Sequence, residues 1–586
     1  MSRHSSCYLL RGHPVTIGSP RSSAKSWHLI PAAPRRYTVS ERLAQHLWEH
    51  RDGLFTVLRQ PGLDATNWRA KLAIRFGVIL RKVWGGSRTW HGARAQAVLM
   101  SVLRTSWQRG RSATPFKVGS PVRKCVLILE DKSAGGVMDD ILDRFVAQAP
   151  VAVLVRATLA HVFADTTLDA LFDRVASAGY TRELTFSTLV KLLTKVVFTA
   201  QPSVHAAYRH TPDVGASVTA VYDKLGRLET AVSAALVRET AAALAGILDH
   251  LRPAAAGAVA GLRLRTLDGN FLAGTQRRLG GLRGCGAAAL PGMSLVVRDG
   301  SSGLLTAVVP REDAYTNERS LAADVLPLVA AGELWLADRN FCTEDYLGGI
   351  AGRGAFFLVR HHAGTHLHPQ GAERYVGKNA GGELYEVQVR LCGLACRCVI
   401  VRLFQPLRDG TTELRLLTNV PAGKAGARRL AELYRTRWQI EAAFQELTES
   451  LRCEIDTLGY PRAALFGFAL AVTAYNLLVF VRQALACGPA GPAAQAVSSY
   501  HLGNEVASVS EGLAIAVPAE RWQRFAALSA GDFAVWVRGV AGGIDWRTYR
   551  KNPRGPKKPV DVKRTRRGAH RSTARVLRGK GHQTEP

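Results

Sequence analysis

Nineteen residues, from Ala463 to Val481, run AALFGFALAVTAYNLLVFV without a charge and are bracketed by Arg462 and Arg482. A run of that length admits two folds: one helix crossing a bilayer, or one helix buried on all sides in a large core. Thr473 and Asn476 interrupt its apolar character. A single span here would also draw the polar helix just before it, around residues 434–441, out of the compartment that holds the rest of the chain. The run is therefore read as a buried core helix, and no membrane partner is expected. At about 150 residues per domain, a chain of 586 has room for roughly three to four domains around such a helix.

The net charge of +31 is unevenly placed. Residues 1–137 carry 23 Lys and Arg against 6 Asp and Glu, and residues 550–586 carry 13 against 2, while the stretch between them is near balance at 41 against 38. Basic ends on a neutral body suit a polyanion, and nucleic acid fits better than a lipid surface because no amphipathic lipid-seeking helix accompanies them. The plainer reading is a pair of solvated tails that aid solubility. Nine cysteines, sparse and irregular, make no disulfide framework and point to a reducing cytoplasm. The opening residues are rich in Ser, Arg and His and hold no apolar stretch of a secretory signal. His361, His362, His366 and His368 precede Cys392, Cys396 and Cys398, but the spacings match no usual zinc pattern.

The densest chemistry lies in LLTNVPAGKAGARRLAELYRTRWQIEAAFQE, residues 416–446. Tyr434, Arg437 and Glu441 stand three and four apart, which predicts one helical face carrying a hydroxyl, a guanidinium and a carboxylate. Such a face presents one metal-ligating acid beside two groups able to grip phosphate. The stretch resembles the Tyr-Arg-Glu signature of the insertion-sequence-four family of bacterial DDE transposases. Two further acids match the family's pattern. GLRLRTLD, residues 261–268, alternates as a strand ending on Asp268, with Gly269 letting the chain turn away, and GELWLAD, residues 332–338, reads as a strand ending on Asp338. Taken singly, a strand-end Asp is usually a cap and a helical Glu usually faces water. In order, and each within its own local text, they match the family's first, second and third catalytic acids; RRLGGLRG, ALPGMSLVV, EDAYTNERSL and LLTNV agree around them.

The resemblance covers about residues 138–570. It implies an α/β chain with a ribonuclease-H-like catalytic core and a β-rich insertion, preceded by an α-helical N-terminal domain. It implies that Asp268, Asp338 and Glu441 are both catalytic and metal-binding, holding two Mg2+ ions about 3.5–4 Å apart, with Mn2+ as a substitute. Tyr434 and Arg437 should grip phosphate, and Arg339, directly after Asp338, is a weaker candidate because adjacent strand residues face opposite ways. The family signature continues with a lysine seven residues past the Glu, where this chain has Thr448; Arg452, one turn further on, is the expected replacement. In the tail PRGPKKPVDVKRTRRGAHRSTAR, prolines at 553, 556 and 559 keep the chain extended, and Lys557, Lys558 and Arg564 are read as lying along DNA.

A second resemblance lies upstream. Asp64 to Arg111 is similar to the C-terminal end of the insertion-sequence-sixty-six transposases, where a Thr-Asn-Asn-x-Ala-Glu motif supplies the last acid. Thr66, Asn67, Ala70, Ile74 with Arg75, and Arg81 with Lys82 match or nearly match, but Trp68 replaces the second Asn and Lys71 replaces the Glu. A lysine cannot ligate a divalent cation at neutral pH, so this copy of the site is dead. The working protein is expected to begin near Met138, with residues 1–137 a fused relic or an overlong start; the alternative is an added DNA-binding domain.

The expected organisation is 1–40 disordered, 41–137 remnant or extension, 138–260 helical DNA-binding domain, 261–352 first part of the core, 353–420 β-rich insertion, 421–487 second part of the core, 488–549 C-terminal helical region and 550–586 basic tail. The expected function is cut-and-paste transposition by hydrolysis and strand transfer at the element's terminal inverted repeats and into target DNA. The family adds a hairpin intermediate and a homodimeric synaptic complex, in bacterial cytoplasm at the nucleoid. The alternative is a catalytically impaired or chimeric copy that binds the ends and represses transposition, which the lost acid at Lys71 and the change at Thr448 favour. A general metal-dependent nuclease would share the acids but cut DNA lacking those ends.

Overall fold

The computed structural model describes residues 139–552 apart from 178–182, 212–213, 253–258, 260, 273–289, 392, 408–409 and 489, together with Gln45, Glu49 and a few positions at 572–577. The chain divides into two compact units, 1–116 and 117–586, and the helices and strands of residues 139–552 all belong to the second. The segment resembling the second transposase family, Cys392, and the tail residues Lys557, Lys558 and Arg564 lie outside the described residues.

The second unit opens with helices α1 (Asp139–Gln148), α2 (Pro150–Val162), α3 (Asp165–Val175), α4 (Phe186–Val197), α5 (Val204–Arg209), α6 (Val218–Arg227) and α7 (Thr230–Leu251). Their starts are written in local chemistry. Pro150 occupies the first turn of α2, where its missing N–H costs nothing. Thr185, Ser203 and Ser217 each turn a side-chain oxygen onto a first-turn amide of α4, α5 and α6.

A single ten-stranded sheet comes next in the chain, made of β1 (Arg263–Leu272), β2 (Gly292–Asp299), β3 (Leu305–Arg311), β4 (Glu333–Ala337), β5 (Phe356–Arg360), β6 (His368–Pro369), β7 (Arg374–Asn379), β8 (Gly382–Leu391), β9 (Leu394–Leu403) and β10 (Glu413–Thr418). Its order is β3-β2-β1-β4-β5-β10-β9-β8-β6, with β7 paired to β8. β1 runs antiparallel to β2 and parallel to β4, and β4 runs parallel to β5. Helices α8 (Glu318–Val325) and α9 (Glu344–Ala351) interrupt the strand sequence. This mixed α/β arrangement is consistent with a ribonuclease-H-like core. The chain closes with α10 (Ala427–Arg435), α11 (Trp438–Ser450), α12 (Pro461–Ala486), α13 (Ser499–Ala516), α14 (Ala519–Ala526) and α15 (Ala530–Gly542).

Period-two alternation sends the sheet's side chains to two faces. Trp335, Ala337, Phe357 and Val359 meet α8 and α9 on one side, while Leu334, Leu336 and Leu358 meet α10 on the other. The third apolar cluster joins the opening helices to α11–α15, so residues 139–251 and 488–549 share one core. At its centre lies α12, the apolar run of the sequence. Both α7 and α12 are long and apolar enough to cross a membrane, but they pack against each other, and the apolar window of α12 is wholly buried.

Asn476 explains why that run is not purely apolar. Its amide group accepts from the Leu305 N–H and donates to the Leu305 carbonyl, both at 2.8 Å, with the side chain completely buried. Leu305 opens β3, the outer strand of the sheet among the described residues, so the amide caps backbone groups that no described strand pairs. Thr473 instead returns its hydroxyl to Ala469 of its own helix at 3.0 Å.

One expectation changes. β1 does not end on Asp268 but continues to Leu272, because β2 stays paired with it as far as Leu272↔Gly292. In the span 353–420, read as a β-rich insertion, β5 lies beside β4, β10 pairs with β5, and the later hairpins extend that same sheet.

Candidate active site

The three acids come from distant parts of the chain, two from the neighbouring inner strands β1 and β4 and one from α11. Asp268 sits mid-strand on β1, opposite Val296 of β2, with its Oδ1 accepting from the Gly269 N–H at 2.9 Å. Asp338 follows the last residue of β4, the strand beside β1, and caps the short turn Arg339–Phe341 by accepting from the Asn340 N–H at 2.8 Å. Glu441 lies in the first turn of α11, where a carboxylate is favoured by the helix dipole.

Tyr434, Arg437 and Glu441 do not share one continuous helix. α10 ends at Arg435, and Arg437 is the residue from which α11 starts. The Thr436 hydroxyl donates to the Leu433 carbonyl at 2.7 Å, and the Arg437 and Ile440 amides bond three residues back rather than four. Thr436 thus tightens the chain between Tyr434 and Arg437, while Arg437 and Glu441 keep the predicted four-residue spacing.

Arg437 is the hub. Its guanidinium reaches Glu441 at 2.5 Å and Asp268 at 3.3 Å, and it hydrogen-bonds the Tyr434 hydroxyl. Asp268 and Arg437 are both mostly buried, whereas Glu441 is 56% exposed, so the cluster opens to solvent on the α11 side. Burial pushes the Asp268 carboxyl up to about 6, against the lowering pull of Arg437 and the Gly269 amide; the charges of Asp338 and Glu441 add to the rise. Tyr434 is pushed up to about 12, mainly by burial. The charge of Asp338 acts on both Asp268 and Tyr434, while Arg437 itself pairs with Asp268 and Glu441.

Among the described residues no three His, Cys, Asp or Glu side chains stand close enough to share one ion. The donor chemistry nevertheless fits a hard cation. Asp268 feels the charges of two further carboxylates, its burial resists ionisation, and the charge that relieves it is the cation Arg437.

The other sequence candidates separate. Arg339 is exposed beside Asp338 and lies near His362, as does Arg319. Arg452 stands beyond the far end of α11: its backbone N–H donates to the Val197 carbonyl at 2.9 Å and its guanidinium to the Pro202 carbonyl. The chain past Leu451 leaves the helix and docks on the end of α4. Thr448 turns its hydroxyl back to the Phe444 carbonyl at 2.9 Å. Cys396 and Cys398 are buried on β9 against the core, while His366 and His368 are exposed.

Sequence reasoning missed Glu318, Asn340 and Arg360. Arg360 ends β5, and its charge reaches Tyr434. Asn340 donates its side-chain amide to Glu318 at 3.0 Å, and Glu318 feels the charge of Asp338. Position in EDAYTNERSL carried the only hint of Glu318.

No curated protein matches the chain. Among solved structures, a piggyBac transposase synaptic complex with hairpin DNA matches at 11% identity and a TM-score of 0.29, over 69% of this chain and 80% of that one. Residues 284–477 match the family model of the transposase DDE domain, a span that holds Asp338, Tyr434, Arg437 and Glu441 and begins after Asp268. That match supports a DDE transposase family for this chain.

Proposed function

We propose that the protein is a DNA transposase of the insertion-sequence-four type that cuts its element free and joins it elsewhere. The observation that carries this is that Arg437 pairs with both Asp268 of β1 and Glu441 of α11, while the charge of Asp338, at the end of β4, also acts on Asp268. Acids separated by long stretches of chain have no structural need to gather within reach of one another, and like charges held together are costly unless a cation serves them.

Asp268, Asp338 and Glu441 would hold divalent magnesium, with manganese as a substitute. When bound, such ions supply charge for an attacking hydroxyl and for the leaving oxygen of a phosphodiester. The chain's own groups do the rest. Arg437 would offer its guanidinium to a phosphate oxygen beside the scissile bond, and Tyr434 would orient the same phosphate by its hydroxyl. Arg339 and Arg360 extend the positive rim on the side of Asp338, and Lys557, Lys558 and Arg564 add phosphate contacts from the tail. Water is the first nucleophile, and the freed 3′ hydroxyl the second, at terminal inverted repeats and then at target DNA. Two ends require two copies, so the active form is a homodimer in a synaptic complex.

The test is cleavage of DNA bearing the element's own ends. Asp268→Ala, Asp338→Ala and Glu441→Ala should each abolish cutting in magnesium while leaving end binding within a few-fold. Strong cutting by any of the three overturns the reading. A second reading, an end-binding repressor without chemistry, draws on Thr448, which supplies no charge beside Glu441; wild-type protein that binds ends and never cuts them would favour it.

A further inference from the structure

We infer that Glu318 is a positioning residue that sets the separation of Asp268 and Asp338, a proposal that rests on the functional reading above. Two contacts converge on its carboxylate. Its Oε2 accepts from the Asn340 side-chain amide at 3.0 Å. The backbone N–H of the same Asn340 donates to Asp338 Oδ1 at 2.8 Å, so Glu318 holds the residue that holds Asp338. On the other side its carboxylate lies directly against Gly269, where any Cβ would collide with it. Gly269 is the residue whose N–H holds Asp268 Oδ1 at 2.9 Å. Glu318 therefore braces the amide beside each aspartate and touches neither acid by a hydrogen bond of its own.

The brace is itself anchored. Glu318 is the first residue of α8, whose start is fixed by Asn317 accepting from the Arg319 amide at 3.0 Å. Arg319 Nε in turn donates to the Asn340 carbonyl at 3.1 Å, so α8 grips the Asp338 turn at two points, one acidic and one basic. Gly269 also gains a reason that the sequence did not suggest. It is needed for the close approach of Glu318 rather than to turn the chain away, since β1 runs on through it.

A residue that acts through a hydrogen bond and shape should tolerate Glu318→Gln, whose carbonyl oxygen still accepts from Asn340, but not Glu318→Ala. A direct metal ligand would tolerate neither. The experiment titrates the full-length protein with Mn2+, read by the loss of the free-ion electron-paramagnetic signal, alongside magnesium-dependent end cleavage. Expected are Mn2+ affinity and cleavage near wild type for Glu318→Gln, and losses of about tenfold or more in both for Glu318→Ala, the scale on which outer-shell partners act. Gly269→Ala should reproduce the Glu318→Ala loss. The inference is overturned if Glu318→Ala binds and cuts as wild type does, or if Glu318→Gln loses as much as Glu318→Ala. Failure of the functional reading shows differently: Asp338→Ala would then bind Mn2+ and cut as well as wild type.

Discussion

Asn476→Leu removes a polar link between the apolar helix α12 and the sheet's outer strand, and its cost can be worked from the contacts. The wild-type side chain satisfies both the N–H and the carbonyl of Leu305 at 2.8 Å in a fully buried position. Leucine has nearly the same size but can make neither bond, so two backbone groups are left buried and unpaired. Each costs about 1–3 kcal/mol, and the apolar gain of leucine offsets part of that, which leaves a net loss of roughly 2–4 kcal/mol. Thr473→Val is the control, because that hydroxyl bonds only to Ala469 of its own helix; its cost should stay below about 1 kcal/mol. Urea unfolding followed by tryptophan fluorescence reports the difference as a shift in midpoint at constant slope. An Asn476→Leu protein within about 0.5 kcal/mol of wild type would refute the role of this amide as a cap on the sheet edge.

Other outcomes rest on the same geometry. The Asp268 carboxyl, raised to about 6 by burial, must be ionised to hold a cation, so Mn2+ affinity should fall as pH drops through about 6, and Asp268→Asn should abolish that dependence. The sign for stability is opposite: a raised acid favours the folded state most below its ordinary 3.8, and that contribution is lost as pH rises through about 6, which differential scanning of wild type against Asp268→Asn would show. Glu446→Gln should cost about 3 kcal/mol in urea unfolding, because Arg482, 2.9 Å away and 16% exposed, loses its carboxylate, and it should slow end cleavage by loosening α11, whose packing on α12 and α13 the pair secures. Arg452→Ala should lower the unfolding midpoint, since its guanidinium holds the Pro202 carbonyl.

The sequence made some of this legible and hid the rest for physical reasons. Asp338, Glu441 and Arg437 lie within motifs whose spacing is local, so strand end, helix turn and four-residue pairing could be read directly. The buried helix was legible from its length, and its two polar residues were noticed, but the partner of Asn476 lies 171 residues away and no periodicity marks it. The break between α10 and α11 depends on one threonine hydroxyl turning inward, a choice that helix spacing alone does not reveal. Gly269 was read as a turn because glycine after an acid at a strand end usually is one; the neighbour that demands it, Glu318, is 49 residues later and on another element. The β-rich stretch was recognised as strands, but strand pairing is non-local, so its merger with the core sheet through β5 and β10 had no signature in the text.

Metal ligation by the three acids is tested most directly by changing the donor atom. Asp268→Cys, Asp338→Cys and Glu441→Cys each replace a hard oxygen with a thiolate, which binds magnesium poorly and accepts softer ions more readily. End cleavage by each variant, measured in magnesium and again in manganese, should be lost in the first and partly recovered in the second. Cleavage at the wild-type rate in magnesium by any of the three would contradict the account.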